Sequence, residues 1–285
     1  MLKNILLFLT VLNVIRTQSY FGSKSYTEFE DGDFNVLISA PHDGPLLPED
    51  IPERTEDSLG NLGTDRNTRA FAKQFALELT RLLNQKPFMV FNNLHRKKMD
   101  PNRNPVECCS DLTENLDCHK AHEEYHQFIS GYKQKMSNSY KQLLIVDFHG
   151  QSHAENWTEI GYLLTKTELN QPILLDTRRS SIEALKVSSS KDLESLIRGE
   201  YSLGAFIERK NYRVIPSPTF KYPGTGNYYN GGYITLNHKS LNTNSIQIEL
   251  AFGVRSTESV AKLNAVYFAD AFIEFYRFHK FDLKV

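Results

Sequence analysis

The sequence predicts a three-layer α/β/α sandwich around a mixed, mostly parallel central sheet. Apolar runs of strand length alternate with helical periodicities, the pattern of βα units rather than of a helical bundle. The run Leu143-Leu144-Ile145-Val146 is apolar at every position, as a central strand covered on both faces has to be. No repeat or low-complexity linker divides the 285 residues. A chain of this size buries one substantial core, so residues 18–285 are expected to form a single domain.

Residues 1–17 carry Lys3, then the apolar run Ile5-Leu6-Leu7-Phe8-Leu9-Thr10-Val11-Leu12, then short polar residues. That is the three-part layout of a secretory signal peptide, too short to span a bilayer, with an uncleaved anchor or a core helix as the alternatives. Strands are expected at about residues 35–40, 87–91, 143–148, 159–164, 172–175, 211–215, 232–236 and 245–251, each bounded by Pro, Gly or Asn. Helices are expected over 65–83, where Phe71, Phe75, Leu79 and Leu82 recur at three-to-four spacing, and over 114–137, 191–210 and 256–278. Thr64 or Asp65 is the expected cap of the first helix, and the last starts at Ser256 with Glu258 in its first turn. Residues 46–61 and 215–232 lack periodicity and are the candidate active-site loops; the second holds Pro, Gly and Tyr in quantity.

A formal net charge of −1 gives no electrostatic footing for nucleic acid or an anionic membrane, so the expected partner is a small molecule. Three cysteines, Cys108, Cys109 and Cys118, fall in one segment. In an oxidising compartment they predict one local disulfide, Cys118 with either neighbour, and one thiol over. The sequon Asn156-Trp157-Thr158 fits the same secreted, glycosylated setting.

Four polar islands sit at the ends of strand-like runs: Pro41-His42-Asp43-Gly44, Gly63-Thr64-Asp65, Asp147-Phe148-His149-Gly150 and Gln247-Ile248-Glu249. Open α/β sheets keep ligands at such strand ends. Neutral imidazoles are good zinc ligands, and His42 and His149 share the same strand, histidine, glycine context. Asp147 faces the same side of its strand as His149 and is placed to orient it. His153 is a nearby competitor for the ligand role. Glu249 interrupts an apolar strand, where a carboxylate requires a function or a partner such as Arg255. A carboxylate desolvated beside an activated water is what a general base needs. In the cationic segment 95–105, Arg96 and Arg103 are the candidates for holding developing oxyanion charge, with Lys97 and Lys98 left to solvent. A rival metal site is His122-Glu123-Glu124-Tyr125-His126, which matches His-Glu-x-x-His but lies in a strongly polar stretch that reads as an exposed helix face.

Taken in order, Ile38 to Gly44, Gly63-Thr64-Asp65, Asp100 to Arg103, Val146 to Gly150, and Gly231-Gly232-Tyr233-Ile234-Thr235 leading to Ile246 to Ala251 resemble the N-formylglutamate amidohydrolase family, which is similar in turn to zinc carboxypeptidases. The resemblance covers most of the chain after residue 17. It implies a phosphorylase/hydrolase-like, zinc-peptidase-like fold, one zinc per chain on His42, His149 and Asp65, and Glu249 as general base. It also implies Arg103, and more weakly Arg96, as oxyanion residues, with Asn102, Arg103 and Tyr233 as substrate contacts. The carboxypeptidase pattern has a glutamate three residues after the first histidine. Here that position is Pro45, so Asp65, with Asp43 second, takes the carboxylate role. The expected activity is zinc-dependent cleavage of the amide bond of an N-acyl amino acid or short peptide, outside the cell. A non-catalytic binding protein on the same fold is the alternative, and a His-Glu-x-x-His protease the third reading.

Overall fold

The computed structural model describes residues 18–55, 61–110, 116–175 and 179–285. The expected signal peptide at 1–17, part of the first loop at 56–60 and the expected helix start at 114–115 lie outside the described residues.

The strands are β1 (Ser19–Phe21), β2 (Thr27–Glu30), β3 (Val36–Ala40), β4 (Phe88–Asn92), β5 (Leu143–Gly150), β6 (Thr158–Gly161), β7 (Val214–Ile215) and β8 (Thr243–Leu250). They form one eight-stranded sheet in the order β1-β2-β4-β3-β5-β8-β6-β7. The central four, β4-β3-β5-β8, run parallel. β1 and β2 are antiparallel additions at one edge, and β6 runs antiparallel to β8 at the other. The sheet is therefore mixed and mostly parallel at its centre, as expected.

The helices are α1 (Thr68–Leu83), α2 (Leu116–Ser137), α3 (Lys166–Leu169), α4 (Glu183–Ser188), α5 (Leu193–Ile197), α6 (Leu203–Glu208), α7 (Tyr233–His238), α8 (Phe252–Arg255) and α9 (Glu258–Phe278). The long helices divide between the two faces. Phe71 and Phe75 on α1 meet Phe148 of β5 edge-on at 5.0 Å each, and Phe268 and Phe272 of α9 close over them at 5.3 Å. Edge-to-face packing of this kind adds about 0.5–1.5 kcal/mol per pair beyond area burial. On the opposite face, Tyr125 of α2 hydrogen-bonds Ser39 of β3, and Ser39 donates to Asp147 of β5 at 2.6 Å. Strand alternation thus turns Phe148 toward the α1/α9 layer and Asp147 and His149 toward the other side.

Four expectations need correction. Residues 172–175 are not a strand: Ile173 and Leu175 are exposed, and the carbonyls of Gln171 and Pro172 accept from the buried Arg198 guanidinium. The helix expected over 191–210 is two, α5 capped by Asp192 and α6 capped by Ser202, because each cap side chain accepts a first-turn amide. Residues 232–236 form the start of α7, since Asn102 Oδ1, far away in sequence, accepts the N–H of Ile234 at 2.9 Å. A remote cap thereby overrides the β propensity of Tyr-Ile-Thr. Finally, β1 and β2 were not expected, because β1 is only three residues long and β2, reading Thr-Glu-Phe-Glu, lacks an apolar run. Its glutamate Glu28 is held by Arg69 and Lys73 instead.

From β3 the chain crosses to β4 on one side and returns to β5 on the other. The C-terminal ends of β3 and β5 therefore flank the switch point of the sheet, where doubly wound folds open a crevice. Ser39 lies opposite Asp147 in register, and His149 opposite Glu249. Three of the four polar islands thus reach one sheet edge by strand pairing alone.

Candidate metal centre

His42 follows β3, His149 ends β5, and Asp65 approaches from the loop before α1. His42 Nδ1, His149 Nδ1 and Asp65 Oδ2 stand 3.0, 3.1 and 3.4 Å apart. The three residues form a buried group whose donor atoms are mutually close enough to hold one metal ion.

Each imidazole is already oriented by its other nitrogen. His42 Nε2 meets Asp100 Oδ1 at 2.6 Å, and His149 Nε2 meets Asp147 Oδ2 at 2.8 Å. A carboxylate only accepts, so in the neutral rings Nε2 carries the hydrogen and Nδ1 presents a lone pair. Two lone pairs and an anionic oxygen then converge, with a single donor among the described residues, the Gly150 N–H to Asp65 Oδ2 at 3.1 Å. Such a cluster repels itself unless a positive centre sits in it. Ligand atoms about 2.0–2.1 Å from a tetrahedral zinc lie roughly 3.3 Å from one another, so the observed triangle fits. The surrounding charges make the same demand. Burial opposes a charged His149, yet Asp147 and Asp65 together hold its proton affinity above the ordinary histidine value. Asp100, although buried, is held well below the carboxylate range by His42 and Arg96.

Thr64 or Asp65 was the expected cap of α1, but the helix starts later, at Thr68, and Asp65 has another role. Its carboxylate instead serves the histidines, while its carbonyl accepts the backbone N–H and the hydroxyl of Thr68. Asp43 does not join the ligands: its carboxylate accepts the Arg69 amide on the other side of the turn. Two glycines elsewhere allow close approach around the centre, because a Cβ at Gly150 would overlap the Arg255 guanidinium and one at Gly232 the Asn102 amide.

A cavity of about 350 Å³ opens beside these residues, lined also by Glu249, Arg103, Asn102 and Tyr229. Glu249 is 7% exposed, and its Oε1 accepts from Gln247 Nε2 at 3.0 Å. Burial pushes its carboxyl up to about 8; His149 and Arg96 work against this, and Asp65 and Glu159 add to it. Arg255 does not neutralise it. Its guanidinium donates to the carbonyls of Leu250, Arg66 and Gln151.

The other expected site residues divide. Arg103 is half-buried at the cavity, and among the described residues its guanidinium bonds only its neighbour's carbonyl, Asn102 O, at 3.1 Å. Arg96 lines the cavity too, but its guanidinium is engaged with Asp100 at 3.0 Å and lies 3.8 Å from Asp65. It braces two carboxylates of the centre. Asn102 caps α7 with its oxygen, and its amide nitrogen lies 3.4 Å from both His149 Nε2 and Gln247 Oε1. Tyr233 is not at this cavity. The first turn of α7 directs its ring to His126 and His122, at 5.2 and 6.0 Å.

Reasoning from the residues missed Asp100 as the partner of His42, and Arg54, a fully buried cation 3.5 Å from Asp100. Removing either oriented carboxylate is expected to loosen the centre. In Asp100→Asn or Asp147→Asn, metal affinity should fall about 10–100-fold with the fold retained, as read by competition with a chelating dye. Unchanged affinity in both would refute the oriented-ligand account.

His122 and His126 are engaged otherwise than a His-Glu-x-x-His metal site requires. His122 Nε2 donates to Arg103 O and His126 Nε2 to Pro101 O, at 2.9 and 3.0 Å, so both clamp the loop that carries Asn102 and Arg103. His126 Nδ1 is then an acceptor, from His238 Nε2 at 2.8 Å. Glu123 is exposed. Contrary to expectation, this helix face is turned inward. Burial pushes His126 down to about 2 and His238 down to about 3. Below pH 6.5 the unfolded chain takes up protons that the folded pair refuses. Stability is therefore lost as pH falls, by up to about 1.4 kcal/mol per histidine per pH unit. Melting temperature should drop steeply between pH 6.5 and 5, and less steeply in a His126→Gln/His238→Asn variant.

Cys109 and Cys118 are bonded, and Cys108 is the buried free thiol. The linked loop backs the centre, because Asp100 N–H donates to Cys108 O.

No family model matches the chain, and no curated protein matches it. Solved structures do. A gene product of Agrobacterium tumefaciens superposes with a TM-score of 0.51 at 13% identity, over 90% of this chain and 97% of that one. The fold is shared. An N-formylglutamate amidohydrolase from Ralstonia eutropha JMP134 superposes with a TM-score of 0.48 at 12% identity, over 86% of this chain and 97% of that one. A succinylglutamate desuccinylase from Vibrio parahaemolyticus gives 0.38 at 10% identity, over 92% and 78%. Among the described residues, no helix is long and apolar enough to cross a membrane.

Proposed function

We propose that this chain is a secreted, zinc-dependent amidohydrolase that cleaves the amide bond of an N-acyl amino acid, such as N-formylglutamate, or of a short peptide. One observation carries the reading: two carboxylate-oriented imidazoles and Asp65 bring their ligand atoms together beside a desolvated Glu249, in a cavity of small-molecule size. Zinc held by His42, Asp65 and His149 supplies the acid that polarises a carbonyl and lowers the pKa of water. Glu249 takes the water's proton and hands it to the leaving amine; its raised proton affinity suits both halves of that task. Arg103, whose guanidinium is free of any carboxylate within 4 Å among the described residues, holds the charge that develops on the carbonyl oxygen. Asn102 keeps Arg103 and α7 in register rather than serving as a principal substrate contact.

The disulfide and the exposed sequon Asn156 support an oxidising, extracellular setting. The test is metal analysis of the purified mature chain, followed by hydrolysis of N-formylglutamate and other N-acyl amino acids. About one zinc per chain and zinc-dependent release of free amino acid are expected. A chain that takes up no divalent metal would end the hydrolase reading.

A further inference from the structure

Glu159 is a second buried carboxylate that the proposed hydrolysis does not use. It is fully buried on β6, opposite Glu249 in register. Its oxygens accept three donors: His153 Nδ1 at 2.7 Å, Trp157 Nε1 at 3.2 Å and the Tyr229 amide at 2.7 Å. The acceptor-only carboxylate fixes the tautomer of His153, with hydrogen on Nδ1 and a lone pair on Nε2 in the neutral ring. The imidazole packs against the Tyr229 ring at 4.8 Å, and its side chain is 18% exposed, at the cavity.

A scissile amide brings one acceptor, its carbonyl, and one donor, its N–H. Cation and Arg103 answer the carbonyl. The amide side chains of Gln151 and Gln247 are less available to the N–H, because each is already engaged with other groups. Gln151 accepts from the His153 amide and donates to Trp157 O. Gln247 donates to Glu249 and faces Asn102. We infer that His153, held by Glu159, positions the substrate by accepting a hydrogen bond at Nε2 from the amide N–H, and so selects secondary over tertiary amides. This rests on the amidohydrolase reading.

The experiment compares zinc-loaded wild type with His153→Phe, His153→Gln and Glu159→Gln on N-formylglutamate and its N-methyl counterpart, with zinc content as the folding control. Wild type should favour the N–H substrate by about tenfold in KM, the worth of one hydrogen bond. His153→Phe should lose that preference with kcat changed less than KM, His153→Gln should restore part of it, and Glu159→Gln should weaken it. Nitrogen-15 NMR of the imidazole should place the proton of free wild-type His153 on Nδ1. Turnover with an unaltered preference in His153→Phe, or a proton on Nε2, overturns this inference and leaves the hydrolase standing. Zinc-loaded wild type that turns over neither substrate overturns both.

Discussion

His42→Ala and His149→Ala are each expected to bind zinc about a hundred- to a thousand-fold more weakly than wild type. A four-ligand structural site is worth roughly 10–16 kcal/mol, about 3 kcal/mol per ligand. The loss should exceed the sum expected from one missing donor. Truncating His42 leaves Asp100 buried without its imidazole, and truncating His149 does the same to Asp147. A buried carboxylate that loses one of its partners is costlier to keep charged. Calorimetric titration of the metal-free proteins with zinc measures the effect, and circular dichroism checks that the sheet survives. Retention of full affinity in both variants would move the metal to another set of side chains.

Glu249→Gln separates binding from chemistry. Glutamine fills the same volume and can keep a hydrogen bond to Gln247, but it cannot take a proton. Zinc content should stay near one per chain while kcat falls by about 10²–10⁴, the usual worth of a positioned general base. The pH profile should change as well. With the carboxyl held near 8 before metal is bound, a nearby dication lowers it, so the acid limb of the wild-type profile should sit below pH 8 and vanish in the variant. Wild-type turnover in a metal-replete Glu249→Gln enzyme would remove the residue from the mechanism.

Much of the arrangement was legible because strand chemistry is local. His149 and Asp147 are two residues apart on one strand, so alternation alone puts them on one face, and Glu249 betrays itself as a carboxylate inside an apolar run. Asp100 was not legible: it reaches His42 across 58 residues, from a turn in which cations outnumber it. Arg96 was read as a candidate oxyanion residue for the same reason. Only the fold reveals that its charge is answered by Asp100. Tyr233 was misplaced because Tyr-Ile-Thr favours a strand, and the cap that makes it a helix comes from Asn102, 132 residues away. The histidine pair on α2 looked exposed because the stretch from His119 to Glu124 is strongly polar. Its inward face answers backbone carbonyls, which sequence patterns do not display.

The ligand atoms of His42 and His149 touch although 107 residues separate them, and the crossing between β3 and β5 that joins them is the centre of the sheet. The unfolded chain therefore has no comparable site, and a cation that binds here acts as a folding ligand. At a thousand times its dissociation constant it adds about 4 kcal/mol to the unfolding free energy. Chelation, by the same linkage, should lower the melting temperature of the whole domain rather than loosen one loop.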